Sequence, residues 1–153
     1  MSKSVSVLNE LLVELFNDIL IIEQNALKIG DFSDLSITEM HTIEAVGKEK
    51  QRTMSQVATD LKVTIGTLSI AINSLVKKGY VEKVRSERDR RIVYLTLTKK
   101  GKLAYKVHEK FHNEMVKQTI SGLTEQEEQV LIKALEKLNK FFKENNQLGK
   151  EGE

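Results

Sequence analysis

The sequence predicts a mainly α-helical protein with one small β-hairpin. Apolar residues recur at helical spacing over long stretches at both ends of the 153 residues. In the middle, two short helical patterns meet at a tight turn, and two β-branched runs follow them directly. The chain contains no proline, so nothing interrupts a long helix from within. This order predicts a winged helix-turn-helix flanked by N- and C-terminal dimerisation helices.

Capping motifs mark the helix starts of the N-terminal half. A wide apolar stripe predicts a first helix over about residues 4–28. Ser36 is followed three residues later by Glu39, and Thr53 by Gln56. In such capping boxes each side chain satisfies a backbone N–H at the other residue. A second helix is therefore expected from Ser36 and a third after Thr53.

The turn and the fourth helix follow. Lys62 and Val63 are expected to make the turn, Thr64 to cap a helix over 65–78, and Gly79 to end it. Helical spacing assigns five apolar residues to the core face of this helix: Ile65, Leu68, Ile72, Leu75 and Val76.

Two strand-like runs, 80–85 and 91–97, enclose a hairpin tip at 86–90. A long helix is expected from Thr98 to about residue 120. The last helix follows a third capping box, formed by Thr124 and Glu127, and carries its apolar residues on one face.

Composition excludes several classes of protein. The absence of cysteine removes disulfides, thiolate zinc sites and thiol-based redox sensing. The N-terminus lacks the apolar run of a signal peptide, and no stretch is long enough to span a bilayer, so we expect a cytoplasmic protein without a membrane partner. With no cysteine nucleophile, no glycine-rich phosphate loop and no convincing pair of carboxylates, an enzyme is not expected.

Positive charge is concentrated in one block. Residues 77–110 hold twelve Lys and Arg against four Asp and Glu, a net +8, so the rest of a +2 chain carries −6. A basic block in an otherwise acidic protein is typical of a phosphate-binding face. The alternative is a solvated, charge-laced helix and loop. Because the basic block lies within a helix-turn-helix and its wing, we favour double-stranded DNA as the partner.

The fourth helix presents the residues expected to read DNA. Ile70 faces away from the core, which suits contact with a thymine methyl group, although stray apolar surface residues are common. Asn73 is expected to pair with adenine edges, and Thr64 and Thr67 to reach phosphates. The residues predicted to bind DNA in this part of the chain are Ser55, Gln56, Thr64, Gly66, Thr67, Ser69, Ile70, Asn73 and Lys77.

The hairpin tip is rich in arginine. We expect one arginine to enter a narrow minor groove while an aspartate holds it. A surface ion pair of little energetic value is the alternative. The wing residues predicted to bind DNA are Arg85, Arg88, Asp89, Arg90 and Arg91.

The terminal helices carry more apolar surface than they can cover for one another. We therefore expect a homodimer, whose two-fold symmetry suits a pseudo-palindromic operator. A monomeric bundle is the alternative. The predicted organisation is an N-terminal dimerisation helix at 1–30, a DNA-binding domain at 36–98, C-terminal dimerisation helices at 99–145 and a flexible tail at 146–153.

The central motif resembles the winged helix-turn-helix of MarR-type transcriptional regulators. The resemblance is carried by Ser55-Gln56-Val57-Ala58, Leu61, Val63-Thr64, Thr67-Leu68-Ser69, Leu75, Lys78-Gly79-Tyr80-Val81, Asp89-Arg90-Arg91 and Leu97-Thr98-Lys99-Lys100-Gly101. It implies that Asp89 and Arg91 support minor-groove contact. The family often has arginine where Ile70 stands, so this chain departs from the usual base contact and its operator cannot be inferred from the family.

A narrower set of residues is similar to the fatty-acid-biosynthesis repressor branch of that family. The set comprises Glu39-Met40-His41-Thr42-Ile43, Val84-Arg85-Ser86-Glu87 with Asp89-Arg90-Arg91, and Phe111-His112 with Met115-Val116. This similarity implies repression of lipid-synthesis genes, with long-chain acyl-acyl carrier protein as a co-repressor. No cofactor is required for such a function.

The three histidines allow a second interpretation. His108 and His112 are four residues apart and share a helix face, a spacing that can bind one metal ion. Together with His41 and the carboxylate of Glu23, these two histidines resemble the zinc site of zinc-sensing family members. The implied zinc ligands are Glu23, His41, His108 and His112. Glu44 and Glu109 would be neighbours of the ligands. A zinc-responsive regulator of metal uptake is therefore the alternative function, and a hydrogen-bonded structural cluster is the alternative for the histidines.

Overall fold

A computed structural model describes residues 2–145, and the predicted flexible tail at 146–153 lies outside the described residues. Two compact units divide the chain between Glu109 and Lys110. The elements are α1 (Lys3–Lys28), α2 (Ile37–Gly47), β1 (Arg52–Thr53), α3 (Met54–Leu61), α4 (Ile65–Lys78), β2 (Val81–Arg85), β3 (Val93–Leu97), α5 (Lys99–Ile120) and α6 (Glu125–Glu144). The chain is thus mainly α-helical with a small antiparallel sheet, which confirms the predicted fold class. Within the described residues, no helix has the length and apolar character of a membrane span.

The core of the first unit lies between α2, α3, α4 and the sheet. Its fully buried side chains come from all of these elements: Met40, Ile43, Val46, Val57, Leu68, Ile72, Leu75, Tyr80, Val81 and Leu95. Burial of large apolar side chains contributes about 1.5–3 kcal/mol each before opposing entropy is counted. The core therefore fixes α4 and the hairpin on one scaffold.

The sheet has the strand order β1-β3-β2, with both pairs antiparallel. The β2–β3 hairpin was predicted, whereas β1 was not, because a strand of two residues carries no periodic signal. Arg52 on β1 is buried and donates from Nη1 to the Ala45 carbonyl over 2.8 Å and to the Asp60 carboxylate over 2.6 Å. This side chain joins the end of α2 to α3, and so holds the helix-turn-helix against the sheet.

Two of the three predicted capping boxes are confirmed. Ser36 with Glu39, and Thr53 with Gln56, exchange both reciprocal hydrogen bonds. The third prediction was wrong in part. Thr124 caps α6 by accepting from the Glu127 backbone N–H over 3.2 Å, but its hydroxyl donates to the Glu127 carboxylate, which therefore does not close the box on the backbone.

The terminal helices leave most of their apolar side chains exposed in the single chain. On α1 the exposed side chains include Leu8, Leu12 and Phe16, and the one buried residue of the helix is Glu23. On α6 they include Leu135, Leu138 and Phe142, and none of its residues is buried. Each helix thus retains an uncovered apolar surface, as the sequence predicted.

Candidate nucleic-acid interface

A short turn joins α3 to α4. Lys62 ends α3 in the left-handed conformation, with φ of 56°, and its N–H donates to the carbonyls of Ala58 and Thr59. The Val63 N–H also returns to Ala58, over 3.1 Å. These bonds satisfy carbonyls that the helix end leaves open. The predicted turn at Lys62 and Val63 is confirmed, and it sets the angle at which α4 leaves the scaffold.

The N-terminus of α4 is capped by Thr64, as predicted. Its side-chain oxygen accepts from the Thr67 N–H over 3.1 Å and donates to the Thr67 hydroxyl over 3.0 Å. Both threonines are exposed. The remaining N–H groups of this helix end carry partial positive charge, which suits a phosphate.

The core face of α4 is narrower than the sequence predicted. Leu68, Ile72 and Leu75 are buried, but Ile65 is 51% exposed and Val76 is 39% exposed. The assignment of these two residues to the core was wrong. Both lie at the edge of the apolar stripe, where helical spacing alone cannot separate covered from uncovered positions.

The opposite face of α4 is open, as predicted. Ile70 is 75% exposed, and Gly66, Asn73 and Lys77 are also exposed, whereas Ser69 is half-buried. An isoleucine this exposed gains from contact with an apolar partner, and a thymine methyl group in the major groove is one. The structure thus brings the predicted base-reading residues onto one uncovered face.

The N-terminus of α3 adds a second helix end. Ser55 and Gln56 are both exposed there. The Gln56 Oε1 accepts from the Thr53 backbone N–H over 3.0 Å, so the oxygen is engaged and the amide N–H groups are the donors that this side chain offers. These two residues suit positioning contacts with phosphates rather than base reading.

The wing tip is held by a network of its own. The Ser86 N–H donates to the Ile92 carbonyl over 2.9 Å, and the Asp89 N–H donates to the Ser86 hydroxyl over 3.3 Å. Asp89 in turn accepts from Arg91: Nε donates to Oδ1 and Nη2 to Oδ2, each over 3.0 Å. This two-pronged pairing is the contact that the sequence predicted.

The pairing favours the charged form of both side chains. The side-chain hydrogen bond from Arg91, followed by its backbone N–H, holds the pKa of the Asp89 carboxyl below its usual value, although burial opposes this. The same hydrogen bond raises the pKa of the Arg91 guanidinium. Arg85 donates to the Arg90 carbonyl over 3.0 Å, while Arg88 and Arg90 are exposed at the tip. The wing therefore presents several cations, one of them held in a fixed orientation.

The predicted metal residues are partly brought together. Glu23, His41 and His108 place one ligand atom each within 4.8 Å of the others. His41 Nε2 lies 3.3 Å from the Glu23 Oε2, and His108 Nε2 lies 3.0 Å from the Glu44 Oε1. Two imidazoles and a carboxylate are a donor set that zinc accepts. These residues fit such an ion if the contact of His108 with Glu44 is replaced by a bond from His108 to the metal.

His112 lies one helical turn beyond His108 on α5, in the second unit, where its ring contacts Phe111. It is not a member of the cluster formed by Glu23, His41 and His108.

One polar contact of this surface was not predicted. Lys83 on β2 donates from Nζ to the Asn73 Oδ1 over 2.7 Å. No sequence pattern predicts this contact, because it depends on the angle between α4 and β2.

A helix-turn-helix with an open α4 face, followed by an arginine-rich hairpin, defines a winged helix-turn-helix DNA-binding protein. Comparison with known proteins agrees. Residues 33–92 match the sequence profile of the MarR family. Over 107 residues, covering 69% of this chain and 74% of the relative, the sequence is 30% identical to the HTH-type transcriptional regulator BilQ of Clostridium symbiosum. The chain belongs to the MarR family of DNA-binding transcriptional regulators, and it is not an enzyme.

Solved structures extend the similarity beyond the central motif. The chain is similar to Streptococcus pneumoniae FabT in complex with DNA, with a TM-score of 0.89 and 46% identity over 92% of this chain and 98% of that one. It also shares its fold with S. aureus MepR bound to DNA, with a TM-score of 0.73 and 19% identity over 87% and 96% of the two chains.

Proposed function

We propose that this protein is a homodimeric repressor of fatty-acid biosynthesis genes, with long-chain acyl-acyl carrier protein as its co-repressor. The observation that carries the proposal is the 46% identity to S. pneumoniae FabT, which extends over 92% of this chain and 98% of that one. The sequence motifs of the fatty-acid repressor branch point the same way.

The homodimer is supported by the uncovered apolar surfaces of α1 and α6. Phe16 is 61% exposed and Phe142 is 53% exposed in the single chain. Contiguous apolar surface of this kind is costly in water, and a second copy of the same chain would cover it. Removal of this surface from water is the proposed driving force for association.

In the proposed complex, each protomer places α4 in the major groove and its wing in the adjacent minor groove. A two-fold dimer then contacts a pseudo-palindromic operator whose half-sites lie about one helical turn apart. Two wings and four helix ends double the number of phosphate contacts. The charge block at residues 77–110 supports this arrangement.

A cavity in the first unit is our candidate for the effector site. Its volume is about 500 Å³, within the ~300–1,000 Å³ typical of small-molecule sites. The apolar part of its lining comes from Val46, Leu97 and Tyr105. The charged part consists of four lysines, which include Lys102 and Lys106, and two glutamates. Such a lining suits an acyl chain whose carrier is acidic, because the lysines attract the carrier while the apolar side chains contact the chain.

The test is fluorescence anisotropy on a palindromic duplex from a fatty-acid-synthesis promoter, with a chelator present. Long-chain acyl-acyl carrier protein should lower the Kd, and the free carrier should not. Replacing Lys102 and Lys106 together by glutamate should reduce the ratio of affinities with and without the acylated carrier. Equal affinity in all three conditions would contradict the co-repressor, and a ratio unchanged by the double replacement would contradict the cavity.

A zinc-responsive regulator of metal uptake is the second candidate, favoured by the convergence of Glu23, His41 and His108. These residues would hold the ion, and occupancy would act by favouring one of two conformations of the DNA-binding unit. In the same assay with the chelator left out, zinc alone should then tighten DNA binding, and His41→Ala should abolish that response while leaving any acyl response intact. Zinc binding should also be measurable directly by calorimetry without DNA. Absence of both signals would remove this candidate.

A further inference from the structure

A hydrogen bond links the open face of α4 to the wing. The Lys83 Nζ donates to the Asn73 Oδ1 over 2.7 Å, and both side chains are exposed. Lys83 pairs with Leu95 in the β2–β3 hairpin, so its backbone is fixed by the sheet. The contact therefore joins a predicted base-reading residue to a rigid part of the wing.

This contact determines which way the Asn73 amide faces. A side-chain amide has one acceptor oxygen and one NH₂ donor group, whereas an ammonium group only donates. If the amide were flipped, its NH₂ group would face the Lys83 ammonium, donor against donor. Lys83 therefore selects the orientation in which the Asn73 oxygen points to the wing and the Nδ2 hydrogens point away from it.

The orientation has a consequence for the choice of base. An unrestrained asparagine typically pairs with adenine, accepting from N6 and donating to N7. With its oxygen engaged, Asn73 offers mainly donors. Guanine presents two acceptors in the major groove, O6 and N7, whereas cytosine presents the N4 donor.

We infer that Lys83 is a specificity-positioning residue, which holds the Asn73 oxygen so that Asn73 selects guanine and rejects cytosine at one base pair of each half-site. The inference rests on DNA reading by α4, but not on the fatty-acid role. It adds to the interface a residue that reads no base itself.

The test starts from binding-site selection by the full-length chain on a randomised duplex library. Affinities are then measured for duplexes that carry each of the four bases at every position of the selected half-site. Four proteins are compared: wild type, Lys83→Met, Asn73→Ala and the double variant. Lys110→Met on α5 controls for the loss of one exposed charge.

Wild type should prefer guanine over cytosine at one position of the half-site. Lys83→Met should reduce that preference about three- to tenfold, the value of a single hydrogen bond. The double variant should match Asn73→Ala at this position, because Lys83 acts through Asn73. Lys110→Met should retain the wild-type preference.

Four results would overturn the inference. A uniform loss of affinity across all sequences, with a salt slope smaller by about one, would make Lys83 a phosphate contact. A guanine preference that survives Lys83→Met would show that Asn73 is oriented without Lys83, and an adenine preference in wild type would show that its oxygen is free to read bases. If wild type enriched no sequence, DNA reading by α4 would fail and the inference with it.

Discussion

Replacing Asp89 by asparagine adds positive charge to a DNA-binding wing and is nevertheless expected to weaken DNA binding. Asp89 receives two hydrogen bonds from the Arg91 guanidinium and one from the Arg91 backbone. The hydrogen bonds from Arg91 lower the pKa of this carboxyl, so the pairing favours its charged form. The variant retains a single acceptor oxygen, so the two-pronged pairing is lost while the net charge rises.

The size of the effect follows from what Asp89 does for Arg91. A guanidinium has five N–H groups, and the pair occupies two of them, so three remain for the groove. The Arg91 side chain is 90% exposed, so it relies on Asp89 for its orientation. Ordering such a side chain on binding costs about two- to tenfold in affinity. With two wings in the proposed dimer, Asp89→Asn should weaken binding about 4- to 100-fold.

The assay is anisotropy on the selected duplex at several salt concentrations, with thermal melting as a check on folding. Glu87→Gln is the matched control, because it removes an equal charge from the same hairpin tip. Among the described residues, Glu87 is exposed and makes no hydrogen bond or ion pair. The control should bind DNA equally well or slightly better. If Asp89→Asn also bound as well or better, net charge would govern the wing and the positioning role would be refuted.

The remaining predictions concern packing, pH and base contact. Gly101→Ala should lower the free energy of unfolding by about 1–3 kcal/mol, because the new Cβ would overlap the backbone carbonyl oxygen of Tyr80. Gly122→Ala is the control, because a Cβ at that position meets no atom within 4 Å. Equal melting temperatures for the two variants would contradict this packing. Burial raises the pKa of Glu39, but hydrogen bonds from Lys78 and other donors outweigh it and leave the pKa below 4.5. Its contribution to stability is therefore complete above pH 4.5 and is lost as pH falls through the folded pKa. Glu39→Gln should be less stable than wild type at neutral pH and should approach the wild-type stability in acid. A stability difference between the two proteins that does not change with pH would count against this. Exchange of the contacted thymine for uracil removes one methyl group and should weaken wild type about fourfold but spare Ile70→Ala; the same loss in both proteins would exclude Ile70 as the methyl contact.

The organisation of the motif could be predicted because its signals are local. Capping residues, the turn and the glycine at position 79 each determine the conformation of their own neighbourhood, and α4 runs over the predicted residues 65–78. The pairing of Asp89 with Arg91 is equally local, since only Arg90 separates them in a tight hairpin.

Features that depend on tertiary packing could not be predicted. The core assignment of Ile65 and Val76 failed because periodicity locates the centre of an apolar stripe but not its edges. The buried position of Arg52 depends on partners seven and eight residues away on other elements. The contact of Lys83 with Asn73 requires the angle between α4 and β2, which no sequence pattern encodes.

The most direct test of DNA recognition is the salt dependence of affinity for the selected duplex. If the helix ends and wings of a dimer neutralise six to ten phosphates, affinity should fall about 10³- to 10⁵-fold between 50 and 200 mM salt. The structure predicts this steep dependence of affinity on salt, and it predicts a weaker dependence for variants that lack wing arginines. An affinity for duplex DNA that is independent of salt would contradict the cationic interface on which the account depends.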